Sequence, residues 1–107
     1  MFEFIDLAGA SGVRYRFQRV PDLNAIPVIA GNFVYVRGHG EGLTLVCAGT
    51  GDSLSAARKL WNEAMQQGGA EGLFVRRNVS RRARKQEHED IVSHIRPMID
   101  AAEDFGD

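Results

Sequence analysis

Asn32-Phe33-Val34-Tyr35-Val36, then Leu45-Val46-Cys47-Ala48-Gly49-Thr50-Gly51-Asp52-Ser53-Leu54 with Arg58 beyond, is the stretch that decides the fold. Two apolar runs of strand length flank Gly38-His39-Gly40-Glu41-Gly42, so residues 33–37 and 43–48 read as a hairpin. The second run passes through a glycine-rich turn straight into a segment where Leu54, Ala57, Trp61, Ala64 and Met65 recur at helical spacing, with Leu60 on the flank. Asp52 or Ser53 is the expected cap of that helix, because either side chain can accept a bond from a free N–H of the first turn. Gly68-Gly69 is the expected stop.

Working outward, Val13, Tyr15 and Phe17 alternate with Arg14, Arg16 and Gln18, the pattern of a half-buried strand. Phe2 to Leu7 is its apolar partner, and Gly9-Ala10-Ser11-Gly12 supplies the turn, so a hairpin opens the chain. Pro21 and Pro27 mark a connector. Leu73 to Arg76 reads as a short strand. Ser80 caps a second helix running toward Pro97, whose inward stripe is His88, Ile91, Val92 and Ile95, at i, i+3, i+4 and i+7. The expected fold is a small α+β domain: a mainly antiparallel sheet flanked by helices, with an extra N-terminal hairpin over residues 1–20. The single domain spans 1–100, and 101–107 is expected to be a flexible acidic tail.

At 107 residues a second independent core is excluded. A composition of 44% hydrophobic and 25% charged residues suits a globular domain, and no apolar run reaches the ~18 residues of a membrane span. Met1-Phe2-Glu3-Phe4 lacks the basic start of a signal peptide, and one cysteine forms no internal disulfide, so a cytoplasmic location is expected. The net charge of −1 conceals an uneven distribution. Arg76, Arg77, Arg81, Arg82, Arg84 and Lys85 cluster at the start of the second helix, while Asp100, Glu103, Asp104 and Asp107 crowd the end of the chain.

From residue 28 onward, the order of elements and their local motifs resembles the GIY-YIG endonuclease family. Phe33-Val34-Tyr35 stands at the first motif and keeps its tyrosine; a rival register, Gly31-Asn32-Phe33, keeps the glycine instead. Cys47-Ala48-Gly49 stands at the second motif and keeps only the glycine. Arg58 corresponds to the family's helix arginine, and Pro97-Met98-Ile99-Asp100 to its P-x-x-N ending with aspartate for asparagine. Counting back from Pro97, the position of the family's metal-binding glutamate is His88, flanked by Glu87 and Glu89. The resemblance implies a phosphodiesterase site with Tyr35, Arg58 and His88 at its catalytic positions, either residual or lost. It implies Glu87 or Glu89 as the metal ligand only in an active enzyme, with Mg²⁺ or Mn²⁺ as the cofactor and otherwise none.

Phosphodiester hydrolysis needs an activated nucleophile, a cation on the developing phosphorane charge and usually a metal held by carboxylate. Cys47 does not replace a tyrosine, and a histidine is a poor ligand for a hard, oxygen-preferring ion. The expectation is therefore a catalytically impaired GIY-YIG-like domain that binds nucleic acid, DNA or RNA, through Arg76, Arg77, Arg81, Arg82, Arg84 and Lys85. Cations at a helix N-terminus oppose the macrodipole, and a phosphate backbone gives that unfavourable arrangement a purpose. Arg14, Arg16 and Arg19 of the first hairpin extend the same surface.

Plainer readings stand beside these. Tyr35 also reads as a strand tyrosine packed on the first helix, Cys47 as a buried strand residue, Arg58 as a surface partner of Asn62 or Glu63, and His88 as a hydrogen-bonded core histidine. Two further functions remain open: an active, divergent metal-dependent endonuclease, and a protein-interaction module that forms a homodimer or takes an acidic protein partner. No membrane partner is expected.

Overall fold

The computed structural model describes residues 2–101, and the acidic residues Glu103, Asp104 and Asp107 expected to form a flexible tail lie outside them. Strands β1 (Phe4–Ala8) and β2 (Arg14–Val20) form the opening hairpin. β3 (Gly31–Arg37) and β4 (Thr44–Gly51) form the second, with Tyr35 opposite Cys47 and Phe33 opposite Gly49. A 3-10 helix, Leu54–Leu60, leads into α1 (Trp61–Gly68). β5 (Gly72–Arg77), α2 (Arg81–His94) and β6 (Ile99–Ala101) complete the chain. The strands make one six-stranded sheet in the order β1-β2-β5-β3-β4-β6, antiparallel except where β6 runs parallel to β4.

The two hairpins follow from the sequence pattern, and β3 and β4 extend further than their apolar runs. β3 is central and buried on both faces from Gly31 to Val36, which is why it reads as a continuous apolar run and not as an alternation. Gly49 is required by its neighbour: a Cβ there would collide with the Phe33 ring across the strand pair.

The first helix differs from expectation. Neither Asp52 nor Ser53 caps it: the Asp52 carboxylate is turned to Arg84, and Ser53 Oγ shares a 2.6 Å hydrogen bond with Ser55 Oγ. The Leu54 N–H is drawn off to the Ile29 carbonyl at 2.7 Å, and the segment continues with 3-10 bonding such as Ala56 N–H to the Ser53 carbonyl at 3.1 Å. The 3-10 repeat of three aligns Leu54, Ala57 and Leu60 along one side. Leu54 and Ala57 are buried and Leu60 packs against the same core. Ala64 continues the inward line in α1, whereas Met65 is exposed. Gly69, in the left-handed region at φ 64°, ends the helix as expected. α2 begins with its cap in place, Ala83 N–H donating to Ser80 Oγ at 3.2 Å, and stops at His94, two residues short of Arg96 and ahead of Pro97.

β6 is the element absent from the sequence reading. Ile99, Asp100 and Ala101 pair with Cys47, Ala48 and Gly49, so the residues read as a motif ending and the start of a tail are a strand.

Each face of the sheet has its own core. Phe33, Tyr35, Cys47, Leu73 and Val75 pack under the 3-10 helix and α1, with Ile26 of the connector. Leu7, Tyr15, Phe17, Val34, Val36, Ala48 and Phe74 face α2, which contributes Ile91 with Val92 and Ile95 beside it.

Candidate functional site

The motif positions fall on different sides of the sheet. Tyr35 is fully buried in the α1-side core, its hydroxyl donating to the Ala57 carbonyl at 2.8 Å and its ring 5.6 Å from that of Trp61. Burial pushes its hydroxyl well above the usual tyrosine range. Burial likewise pushes the Cys47 thiol up to about 12, which makes it inert as a nucleophile at neutral pH. Arg58 sits on the exposed side of the 3-10 helix and donates from Nη1 to Asn24 Oδ1 of the connector at 2.9 Å, not to Asn62 or Glu63. His88 is on α2, whose packing is with the opposite core. Tyr35 and His88 are therefore separated by the sheet itself.

His88 belongs instead to a polar seam between α2 and the sheet. Arg84 and His88, one helical turn apart, are each only 4% exposed. His88 Nε2 lies 2.8 Å from Asp100 Oδ1 on β6. Arg84 forms an ion pair with Asp52 and donates from Nη1 to the Val79 carbonyl at 3.0 Å. Asn32 on β3, equally buried, donates to the Arg84 carbonyl at 2.8 Å and accepts from Asn78 Nδ2 at 3.1 Å. Among the described residues no buried side-chain nitrogen or oxygen lacks a hydrogen-bond partner, so the seam fastens α2 to the sheet.

The six cations expected to bind nucleic acid divide accordingly. Arg84 is interior. Arg76 is half-buried, donating from Nε to Glu87 Oε1 at 2.8 Å with its guanidinium 5.5 Å over the Tyr15 ring. Arg77, Arg81, Arg82 and Lys85 are exposed, at the end of β5 and the start of α2. Among the described residues Arg77, Arg82 and Lys85 make no side-chain hydrogen bond or ion pair. In the first hairpin Arg14 and Arg16 are exposed, whereas Arg19 lies opposite Phe74 and shares the α2 face with Tyr15 and Phe17.

The candidate metal ligands do not converge either. Glu87 is engaged by Arg76, and Glu89, two residues on and about 200° round the helix, is exposed on its outer side. Among the described residues no group of three or more His, Cys, Asp or Glu side chains is gathered to hold a metal ion.

Asp90, which no motif singles out, fastens the far end of α2. Its carboxylate accepts from Ser11 N–H at 2.9 Å, Ser11 Oγ at 2.6 Å and Tyr15 Oη at 2.7 Å. The Ser11 and Tyr15 bonds hold its carboxyl below the usual range, and the same contact raises the Tyr15 hydroxyl. Asn32, Asn78 and Asp52 also escape a reading by spacing. The available signal is the i, i+4 phase that puts Arg84 and His88 on the stripe of Ile91 and Ile95. Among the described residues no helix is long and apolar enough to cross a membrane. Compared with known proteins, the chain matches no protein-family model, no curated sequence and no solved structure.

Proposed function

We propose that this domain is a nucleic-acid-binding module, GIY-YIG-like in its order of elements, that does not cleave its ligand. The observation that carries the reading is the division among the cations between 76 and 85. Arg84 is interior and Arg76 half-buried, while Arg77, Arg81, Arg82 and Lys85 stand exposed at the end of β5 and the start of α2. These charges sit at the positive end of the helix dipole, an arrangement that costs helix stability and that a phosphate backbone relieves. The succession of strand pair, helix, strand and helix from residue 28 supports the GIY-YIG-like part of the reading. The dispersal of Tyr35, Arg58 and His88 supports the loss of cleavage, since phosphoryl chemistry needs its nucleophile, cation and metal ligand at one point.

The test is anisotropy of labelled duplex and single-stranded DNA and RNA, with cleavage scored on the same samples in Mg²⁺ and Mn²⁺. Neutralising about four phosphates gives a log–log salt slope near −3.6 on duplex DNA, a loss of roughly a hundredfold between about 0.05 and 0.2 M salt. Arg82→Glu with Lys85→Glu removes most of the binding. Salt-indifferent binding overturns the reading, as does metal-dependent cleavage that disappears in Arg58→Ala.

A further inference from the structure

The 3-10 helix and α1 close only part of their face of the sheet. On that face the opening hairpin presents Phe4 and Asp6 from β1, and Arg14, Arg16 and Gln18 from β2, all of them exposed. The connector folds over the neighbouring ground, its Ile26 buried in the α1-side core. Between connector and hairpin lies a cleft of about 230 Å³ lined by Phe4, Arg16, Gln18, Pro27, Val75, Arg76 and Arg77. That volume falls below the roughly 300–1,000 Å³ of a pocket that encloses a drug-sized ligand, so it suits a shelf for one flat ring.

The chemistry of the lining is specific. Val75 and Pro27 are apolar. Phe4 is 46% exposed, and the Arg16 guanidinium lies 5.5 Å from its ring centroid. Asp6 holds that guanidinium through Arg16 Nε at 3.0 Å and Nη2 at 3.4 Å, which sets a planar cation over a planar ring. The Arg16 hydrogen bond keeps the Asp6 carboxyl below its usual range, so the pairing persists at neutral pH. Gln18 brings an amide with both donor and acceptor. Arg77, exposed and without a side-chain partner among the described residues, belongs to this cleft and ends β5, four residues before α2 begins.

The geometry points to the cleft at Phe4, Arg16 and Arg77 as a seat for one unstacked base of a single-stranded nucleic acid. The base stacks on the Phe4–Arg16 pair, Gln18 meets its edge, and Arg77 takes the adjoining phosphate on the way to Arg82 and Lys85. Aromatic rings and arginine planes on open sheet accept splayed bases, whereas a duplex keeps its base faces inside the stack. This inference rests on the nucleic-acid reading above and adds the strandedness of the ligand. An acidic peptide would satisfy Arg77 but has no use for the paired planes.

The experiment measures the full chain against labelled thymidine oligomers of about 12 nucleotides, abasic oligomers of the same length, a duplex, and polyglutamate as competitor. The wild type binds the thymidine oligomer about tenfold more tightly than the abasic one, the scale expected for one stacked base. Phe4→Ala and Arg16→Lys each abolish that preference and leave duplex binding unchanged; Arg16→Lys keeps the charge and removes the plane. Thermal melts check that both variants are folded, which the exposure of both side chains leads us to expect. Equal binding of thymidine and abasic oligomers overturns the inference but leaves the cationic surface intact, as does a preference that survives in both variants. Polyglutamate that displaces the thymidine oligomer as well as unlabelled oligomer does also overturns it. Failure to bind any of the nucleic acids overturns this inference and the reading beneath it together.

Discussion

The two faces of the sheet are closed by different chemistry. Under α1 the contact is apolar: Leu54, Ala57 and Ala64 lie on Phe33, Leu73 and Val75, and the interior Tyr35 hydroxyl is bonded to the Ala57 carbonyl. Under α2 the apolar contact narrows to Ile91 with Val92 and Ile95, and the N-terminal half of the helix is fastened by Arg84, His88 and Asn32. Apolar burial is non-directional, so it holds a helix down without fixing where along the strand it rests. Hydrogen bonds from Asn32 on β3 to the Arg84 backbone and between His88 and Asp100 on β6 do fix it, because each works only over a few tenths of an ångström. The difference matters for the proposed surface. Arg82 and Lys85 keep one position relative to Arg77 only if the start of α2 is held in place over the sheet.

Breaking the α1 side has the largest expected effect. Leu54 is fully buried between the 3-10 helix and β3. Leu54→Ala is expected to cost about 3 kcal/mol and to lower the melting midpoint by roughly 10 °C or more, measured by thermal and urea unfolding. The α2 side should give less for a single truncation. Arg84→Ala removes an interior side chain together with its charge-assisted bond to the Val79 carbonyl, while Asp52, more than half exposed, returns to water. The expected loss is about 2 kcal/mol. Arg82→Ala, two residues away and exposed, should move stability by less than about 0.5 kcal/mol and act on binding alone. Equal destabilisation by the two arginine variants would erase the distinction between the inward and outward cations of α2.

How far the sequence carries the fold depends on whether the cause of each feature is local. The β3–β4 hairpin is legible because Phe33–Val36 and Leu45–Ala48 are uninterrupted apolar runs about a glycine loop. The start of α2 is legible in Ser80 and its spacing to Ile91. The 3-10 character of Leu54–Leu60 is not, since it arises when Ile29 and Arg84, both remote in sequence, draw off the groups that would cap an α-helix. β6 is three residues long and exists by pairing with β4, so periodicity has nothing to register. The candidate site shows the same limit. The run from Arg76 to Lys85 looks uniform as composition, and only its phase against His88 and Ile91 separates interior Arg84 from exposed Arg82. Asn32 is hidden entirely, because a buried polar residue in an apolar strand is explained only by the helix that meets it.

The smallest expected effect separates the two ends of α2 by pH. Asp90 ties the helix to the first hairpin by accepting from Ser11 and Tyr15, and these bonds favour its ionised form. Its folded carboxyl therefore lies below the ordinary value of 3.8. A group depressed in the folded state contributes its full stability above its unfolded pKa and loses that contribution as pH falls through the folded one. Stability thus declines as pH drops below about 4, and Asp90→Asn removes that part of the decline while keeping an acceptor for Ser11 and Tyr15. Urea midpoints of the wild type and Asp90→Asn, compared between about pH 6 and pH 3, should converge toward acid. Asp6, depressed chiefly by its hydrogen bond with Arg16, adds a similar slope from the opposite face, so Asp6→Asn serves as the control. A wild-type slope that persists undiminished in Asp90→Asn would assign the acid sensitivity to the hairpin surface and leave the α2 anchor without a part in it.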